Sequence, residues 1–408
     1  MQIKPILAAL RRHKSGTILI ALQIALTLAI VCNALFIIEQ RVSRLSRTTG
    51  MDETNVIAIA NRYVGPGTSF TPTVKTDLAA IRNLAGVEDA YATNSYPLRN
   101  GGWSMGVRLK PDAKKEITST TLYFIDDHAL KTLGVKLIEG RNFNAGEVIS
   151  LDPRNSTSLP QVIITKALAQ KLFEDGKALG KTIYLSQEGK PSTVIGVVEK
   201  LQVPWVGTWA GKFDQNAAML PAILDSNYQN FVVRTRPGQQ EAMLKALPKT
   251  LYATSRMRVI PEETGIRTFE QVRARAYETD RGMAILMGIV CAVLLAITAA
   301  GIVGLSSFWV GQRRKQIGVR RALGATKNDI LSYFMTENFL IALGGVIVGS
   351  LLAVGMNQWL FTRFEMERLS LTYVAVGVVA LLALGQAAVL APALRASRVS
   401  PVEATRTV

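Results

Sequence analysis

The stretch QRRKQIGVRRALGATKNDILSYFMTENFL, residues 312–340, decides how this chain is read. It is basic at its start, with Arg313, Arg314, Lys315, Arg320 and Arg321, and it becomes apolar toward its end. Gly318 and Gly324 bracket the basic segment. Thr326 and Asp329 then stand at the S/T-x-x-D/E spacing of a capping box, which places a helix start at Thr326. Ile330, Leu331, Phe334 and Met335 lead from there into an apolar run. A short Arg-rimmed helix between two apolar runs suits docking into a groove on a soluble partner. Composition alone equally allows a lipid-facing basic turn.

Working outward, four stretches are long enough to cross a bilayer, which takes roughly 20 mostly apolar residues. They are 18–38, 283–310, 340–361 and 369–390, and none contains a charged residue. Lys4, Arg11, Arg12 and Lys14 precede the first, as in a secretory signal. Its apolar run is too long for one and no small-x-small cleavage site follows, so it reads as an uncleaved signal-anchor helix. The fold class expected is an integral membrane protein with four transmembrane α-helices, one plus three. A large extracytoplasmic α+β domain, 39–282, lies between the first two spans.

The whole composition agrees. Of 408 residues, 49% are hydrophobic and only 19% charged, below the roughly 25% of soluble globular proteins. Disorder is excluded, and so is a disulfide scaffold, since Cys32 and Cys291 both lie inside apolar runs. With His13 and His128 the only histidines, a histidine-based metal site or triad is not expected. The formal charge of +17 could signal nucleic acid. Its distribution points elsewhere. Segments 1–17, 311–339 and 391–408 hold 13 basic and 3 acidic residues, while the loop 362–368 is neutral. By the positive-inside rule these three segments, with both termini, are cytoplasmic, and 39–282 lies outside. The charge is therefore an orientation signal and a docking signal, and no nucleic-acid partner is expected.

In the outer domain, 55–60 reads as a strand, followed by a helix near 74–84 and a strand near 87–93. The same order returns at 230–235, 239–252 and 257–260, with Met243, Leu247 and Leu251 forming one apolar helix face. These units read as related halves of one subdomain, with too little similarity to name a repeat. Between them, a helix near 165–173 precedes a hairpin, Thr182–Leu185 and Thr193–Val198 about Gly189. DGKALGKT, 175–182, has Asp175 where a Walker A loop requires glycine, so it reads as a surface turn. Trp205 and Trp209 sit in a Gly/Pro-broken loop and are expected to be half-buried caps, with partner gripping as the alternative.

Ile38, Val42 and Leu45 continue the helical period beyond the first span, and 268–283 is helix-prone, so both spans are expected to extend as helical stalks. Gly345 and Gly349 form a small-xxx-small face suited to close helix packing or to a dimer contact. Gln23, Thr27 and Asn33 in the first span read as interhelical hydrogen-bonding groups.

IGVRRALGAT between the second and third spans, with APALRASRVSPVEATR after the fourth, resembles the FtsX/MacB family of ABC-transporter permeases. VIITKALAQKLFEDGKALGKTI, TVIGVV and GRNF resemble the periplasmic core domain of its MacB-type members. The resemblance implies an inner-membrane subunit that pairs with a second permease, identical or related, and with two copies of a soluble ABC ATPase carrying the ATP and Mg. It leaves open a periplasmic adaptor and an outer-membrane channel. It also implies mechanotransmission, in which ATPase closure moves the spans and stalks so that the outer domain changes shape, for efflux of peptides, antibiotics or similar substrates. By matching positions, Ile317, Gly318, Arg320, Arg321, Ala322, Leu323, Gly324, Ala325, Thr326 and Asp329 would meet the ATPase. Gln316 departs from the family's usual Glu. No cofactor is expected on this chain, and with no Walker A motif or nucleophile–base constellation it reads as non-catalytic. A lipoprotein-releasing permease like LolC or LolE, or an FtsX-like regulator of cell-wall hydrolases, is the alternative.

Overall fold

The computed structural model describes residues 14–65, 69–154, 158–185, 190–364 and 369–400. The chain divides into two compact units, Met1–Leu45 with Asp280–Val408, and Ser46–Thr279. Most of the short segment 1–17, the Gly189 turn and the end of the tail lie outside the described residues.

The first unit is helical. Helix α1 spans Lys14–Leu45 and carries the first apolar run without a break into the charged positions beyond it. Three more helices are long and apolar enough to cross a membrane: α7 (Glu278–Gln312), α9 (Lys327–Phe364) and α10 (Leu371–Ser397). A short helix, α8 (Arg314–Ala322), stands between α7 and α9. Ile20, Ile24 and Leu28 of α1 pack with Ile341, Ala342 and Val346 of α9 and with Leu381 and Val389 of α10. The glycines explain the closeness. A Cβ on Gly345 would fall 2.8 Å from the Ala21 carbonyl oxygen, and one on Gly349 would fall 2.8 Å from that of Ala25. The small-xxx-small face is thus consumed inside the chain by α1, and the dimer contact considered for it is corrected accordingly.

The polar residues of α1 bond between helices. Thr27 Oγ1 and Thr298 Oγ1 are 2.8 Å apart, Gln23 Nε2 donates to the Ile297 carbonyl at 3.1 Å, and Asn33 Nδ2 donates to Ala353 O at 3.1 Å. In a membrane interior such bonds contribute about 0.6–2 kcal/mol each. At the end of α1, Arg41 donates to Asp280 of α7, whose carboxylate is buried.

The second unit is α+β with two sheets. One contains β1 (Val56–Tyr63), β2 (Val87–Thr93), β11 (Tyr228–Thr235) and β12 (Arg258–Val259), in the order β12-β1-β11-β2, with β13 (Ile266–Thr268) also pairing β1. All its pairings are antiparallel. Helices α2 (Thr71–Arg82) and α5 (Gln240–Thr254) follow β1 and β11 and lay Val74, Leu78, Ile81, Met243, Leu247 and Leu251 on Ile57, Ile59, Phe231 and Val233. This is the split βαβ arrangement. The two strand–helix–strand stretches are interleaved halves of one sheet, with β1 and β11 adjacent at its centre.

The segment between those halves forms the second sheet. Its strands are β3 (Trp103–Val107), β4 (Thr118–Ile125), β5 (Leu137–Gly140), β6 (Ile149–Leu151), β7 (Gln161–Thr165), β8 (Thr182–Tyr184), β9 (Pro191–Val198) and β10 (Ala217–Leu224), in the order β3-β4-β10-β7-β9-β5. Helices α3 (Ala129–Leu133) and α4 (Lys166–Leu172) belong with it. β8 and β9 pair antiparallel, as a hairpin requires. The 175–182 stretch is a surface turn. Gly180 takes φ +76°, and Lys181 Nζ lies 2.9 Å from Asp175 and over the Phe173 ring.

Helix α6 (Phe269–Ala276) begins at a capping box on Thr268 and ends at Tyr277, after which α7 starts. The helix-prone stretch 268–283 is thus divided between two helices, with the break at Tyr277. The physical reason is that Phe269, Val272 and Tyr277 are buried in the second unit, where Gln202 Nε2 donates to the Tyr277 hydroxyl at 3.2 Å and Arg273 pairs with Glu53.

A fully buried ion pair locks α2 to β12: Arg258 reaches Asp77 at 2.9 and 2.8 Å, and Tyr63 and Thr254 also donate to that carboxylate. Asp77→Ala should destabilise the protein by about 3–5 kcal/mol, because it leaves a guanidinium buried without its counter-charge. Thermal unfolding of the chain should show the loss. Asp77→Leu combined with Arg258→Met should recover a substantial part of it.

Candidate partner-docking site

The chain between α7 and α9 is built from local signals that the sequence shows clearly. Helix α7 ends at Gln312, and Arg313, at φ −94° and ψ 10°, turns the chain into α8. Helix α8 stops in a Schellman arrangement: Gly324 N donates to Arg321 O at 3.2 Å and Ala325 N to Arg320 O at 3.0 Å. Gly324 sits at φ +99°, which a side chain would make costly, so glycine is needed here. Thr326 and Asp329 then complete the expected capping box. Thr326 N donates to Asp329 Oδ2 at 2.8 Å, and Asp329 N to Thr326 Oγ1 at 3.2 Å. The Thr326 hydroxyl, and then its amide, hold the Asp329 carboxyl below the ordinary carboxylate range.

Two expectations change. The basic segment between the glycines is itself a helix, α8, and the helix beginning after Thr326 is no short separate element but the first turns of α9, running unbroken to Phe364. Nothing between Thr326 and the apolar run breaks a helix, so the capped start propagates into the span.

The ten residues singled out divide by burial. Ile317 and Gly318 face inward, with Ile317 packed against Ile330, Phe334, Ala393 and Ala396. Arg320, Ala322, Leu323, Gly324, Thr326 and Asp329 are exposed, and Leu323 is 83% exposed, the most of any large apolar side chain described. Arg321 and Ala325 are half-buried and bonded to each other, Arg321 Nη1 donating to Ala325 O at 3.1 Å. Arg320 stacks over the Tyr333 ring at 5.0 Å.

Three contributors escape a reading of the sequence. Arg313 Nη1 donates to both carboxylate oxygens of Glu337 at 2.9 Å, and the pair is buried. Tyr333 supplies the platform under Arg320, and Ala393 and Ala396 of α10 supply the floor under Ile317. Charge counting registers Arg313 and Glu337 only as opposite signs in one loop. Their spacing of 24 residues is no local motif. Gln316 is exposed, and the buried ion pair here is made by Arg313 instead.

Two family models match: the MacB-like periplasmic core domain over residues 17–250, more than half of the chain, and the FtsX-like permease C-terminal region over 288–401. The chain belongs to the FtsX/MacB family of ABC-transporter permeases. Among its relatives, the macrolide export ATP-binding/permease protein MacB of Chromobacterium violaceum is 26% identical over 66% of this chain and 41% of that protein. MacB of Neisseria gonorrhoeae is 24% identical over 99% of this chain and 60% of its own length. The uncharacterized ABC transporter permease YvrN of Bacillus subtilis is 26% identical over 70% of this chain and 69% of its own. The chain thus spans between two fifths and three fifths of the length of these MacB proteins. The crystal structure of the periplasmic region of MacB from Actinobacillus actinomycetemcomitans aligns over 57% of this chain and 97% of its own, at 17% identity and a TM-score of 0.36.

As a member of this family the chain is an inner-membrane protein in which one apolar helix precedes and three follow a large α+β domain. The matched C-terminal region, 288–401, includes all of α8, α9 and α10, so the α8–α9 corner and the α10 residues beneath it lie within one family module.

The buried anchor of the corner and its exposed tip separate experimentally. Arg313→Ala should lower stability by about 3–5 kcal/mol by stranding Glu337 in a buried site. Leu323→Ala should change it by less than about 0.5 kcal/mol, since the side chain touches little. Thermal unfolding in detergent or nanodiscs checks both.

Proposed function

We propose that this chain is the transmembrane subunit of a MacB-type ABC transporter, coupling ATP hydrolysis by a partner ATPase to movement of its extracytoplasmic domain for efflux or extrusion of substrates such as peptides or antibiotics. The observation that carries the reading is the construction of the α8–α9 corner. Its outer side presents Leu323, Arg320, Ala322, Thr326 and Asp329, while its inner side is fastened to α9 by Arg313–Glu337 and to α10 by the Ile317 cluster. A surface that is open outward and rigidly joined to two spans receives a push and passes it on. Loose attachment would dissipate the displacement in side-chain motion.

In this reading the corner and both termini are cytoplasmic, as the basic flanks favour. The chain is non-catalytic, the ATP and Mg reside on the ATPase, two copies of which serve a pair of permeases, and the domain between the first two spans faces the periplasm. Arg320 and Leu323 touch the ATPase directly. Ile317, Gly318 and Arg321 act through the corner's internal packing.

The test uses Leu323→Glu combined with Arg320→Glu, which leaves Arg313, Ile317 and the capping box in place. The purified double variant should keep an unfolding temperature near that of the parent and lose at least tenfold of the ABC ATPase that co-purifies with the parent chain. ATP hydrolysis in the reconstituted complex should fall in step. Unchanged association and unchanged transport would defeat the docking assignment.

A further inference from the structure

Within the unit Ser46–Thr279, a cleft of about 280 Å³ is lined by the 96–100 turn, β13 and α6. It contains three guanidinium groups, from Arg99, Arg267 and Arg275, and a single carboxylate, Glu278. Glu278 is engaged by Arg275 at 2.6 Å in an exposed pair. The other two arginines have no carboxylate partner. Arg99 spends three of its five N–H donors on neutral acceptors, namely Asn230 Oδ1 at 3.0 Å, Gly101 O at 3.1 Å and the Tyr228 hydroxyl, and lies over the Tyr228 ring. Arg267 is half-buried and makes no side-chain hydrogen bond or ion pair among the described residues.

The cleft also offers a neutral donor. The Tyr96 ring is buried, and its hydroxyl has no hydrogen-bond partner among the described residues. Burial pushes its pKa up to about 12 against the opposing pull of Arg99 and Arg267, so the proton stays on at neutral pH. Tyr96, Arg99 and Arg267 line the same cleft. The backbone carrying Arg99 is costly to hold: Leu98 at φ +66° and Asn100 at φ +61° flank it in the left-handed region, which non-glycine residues seldom enter. Leu98 is buried and Asn100 N is tied to Pro204 O, so the turn is set in place.

Partly desolvated guanidiniums with no counter-charge are unfavourable until an anion arrives. Their planar forks match the oxygens of a phosphate or carboxylate, and the volume is at the small end of ligand sites. We propose that Arg99, Arg267 and the Tyr96 hydroxyl form an oxyanion site for a phosphate group, either free or in the headgroup of an anionic phospholipid. Arg267 supplies the uncommitted fork, Arg99 the fixed charge, and Tyr96 a neutral hydrogen bond between them.

The test takes the full chain in nanodiscs of phosphatidylcholine, measures binding of labelled inorganic phosphate by equilibrium dialysis, and in parallel counts retained phosphatidylglycerol by native mass spectrometry from mixed nanodiscs. The parent chain should bind one of these saturably. Arg267→Gln, which removes no internal contact and should fold as the parent does, should cut that binding at least tenfold, as should Arg99→Gln, while Lys249→Gln outside the cleft leaves it unchanged. Binding of phosphate identifies a free anion as the ligand, and retention of phosphatidylglycerol without phosphate binding identifies the headgroup. If the parent binds neither, or if Arg267→Gln binds as well as the parent, the proposal fails.

Discussion

Inside a bilayer no hydrophobic force draws one helix to another, so the helical unit depends on how closely α1 and α9 can approach. Gly345 and Gly349 set that approach, since a methyl group at either position would overlap the backbone of α1. Gly377 does the same for α10, where a Cβ would lie 2.5 Å from Cys32 Sγ. Once the backbones are this near, dispersion contacts and the short polar bonds of Thr27 and Asn33 become available. Helix α1 therefore acts as the post on which α9 and α10 are hung. Because α9 runs unbroken from its capping box to Phe364, the position of the α8–α9 corner is inherited from this packing.

A second constraint acts where the helices end. Leaving lipid, the chain must turn without stranding buried polar groups, and it does so around Arg313 and Glu337. Burying the two charges costs several kcal/mol in desolvation, which their mutual attraction and hydrogen bonding must offset. Such a pair is directional where an apolar contact is not, since Arg313 Nη1 meets both Glu337 carboxylate oxygens at 2.9 Å. Asp77 and Arg258 play the same part in the outer unit, fastening α2 to β12 through a fully buried pair. Each unit thus has an apolar core and, among the described residues, a buried charge pair that joins its elements.

Local signals were readable wherever the physics is local. Thr326 and Asp329 announced a helix start, and the period of Met243, Leu247 and Leu251 the face that α5 buries. The continuity of α9 was less visible, since the change from basic to apolar residues suggests two elements while nothing between them interrupts helical hydrogen bonding. The role of the glycine pair in α9 was ambiguous for another reason. A smooth helix face is equally suited to a neighbour in the same chain and to a neighbour in another, and only the position of Ala21 and Ala25 resolves which it meets. The interleaving of the two strand–helix–strand stretches was hidden because residues 94–227 stand between them and form a sheet of their own.

By itself the sequence determined the four spans, the basic flanks beside them, the capped corner between α7 and α9, and the alternation of strands and helices in the outer domain. These follow from hydropathy, charge sign and spacings of three or four residues, which need no knowledge of distant neighbours. Tertiary structure alone decided which of the corner's residues face outward and which anchor it, that Arg313 finds Glu337, that Gly345 and Gly349 serve α1, and that Arg99 and Arg267 face Tyr96 across one cleft. Each of these joins residues far apart in the chain, and a pairing of that kind exists only once the backbone has closed around it.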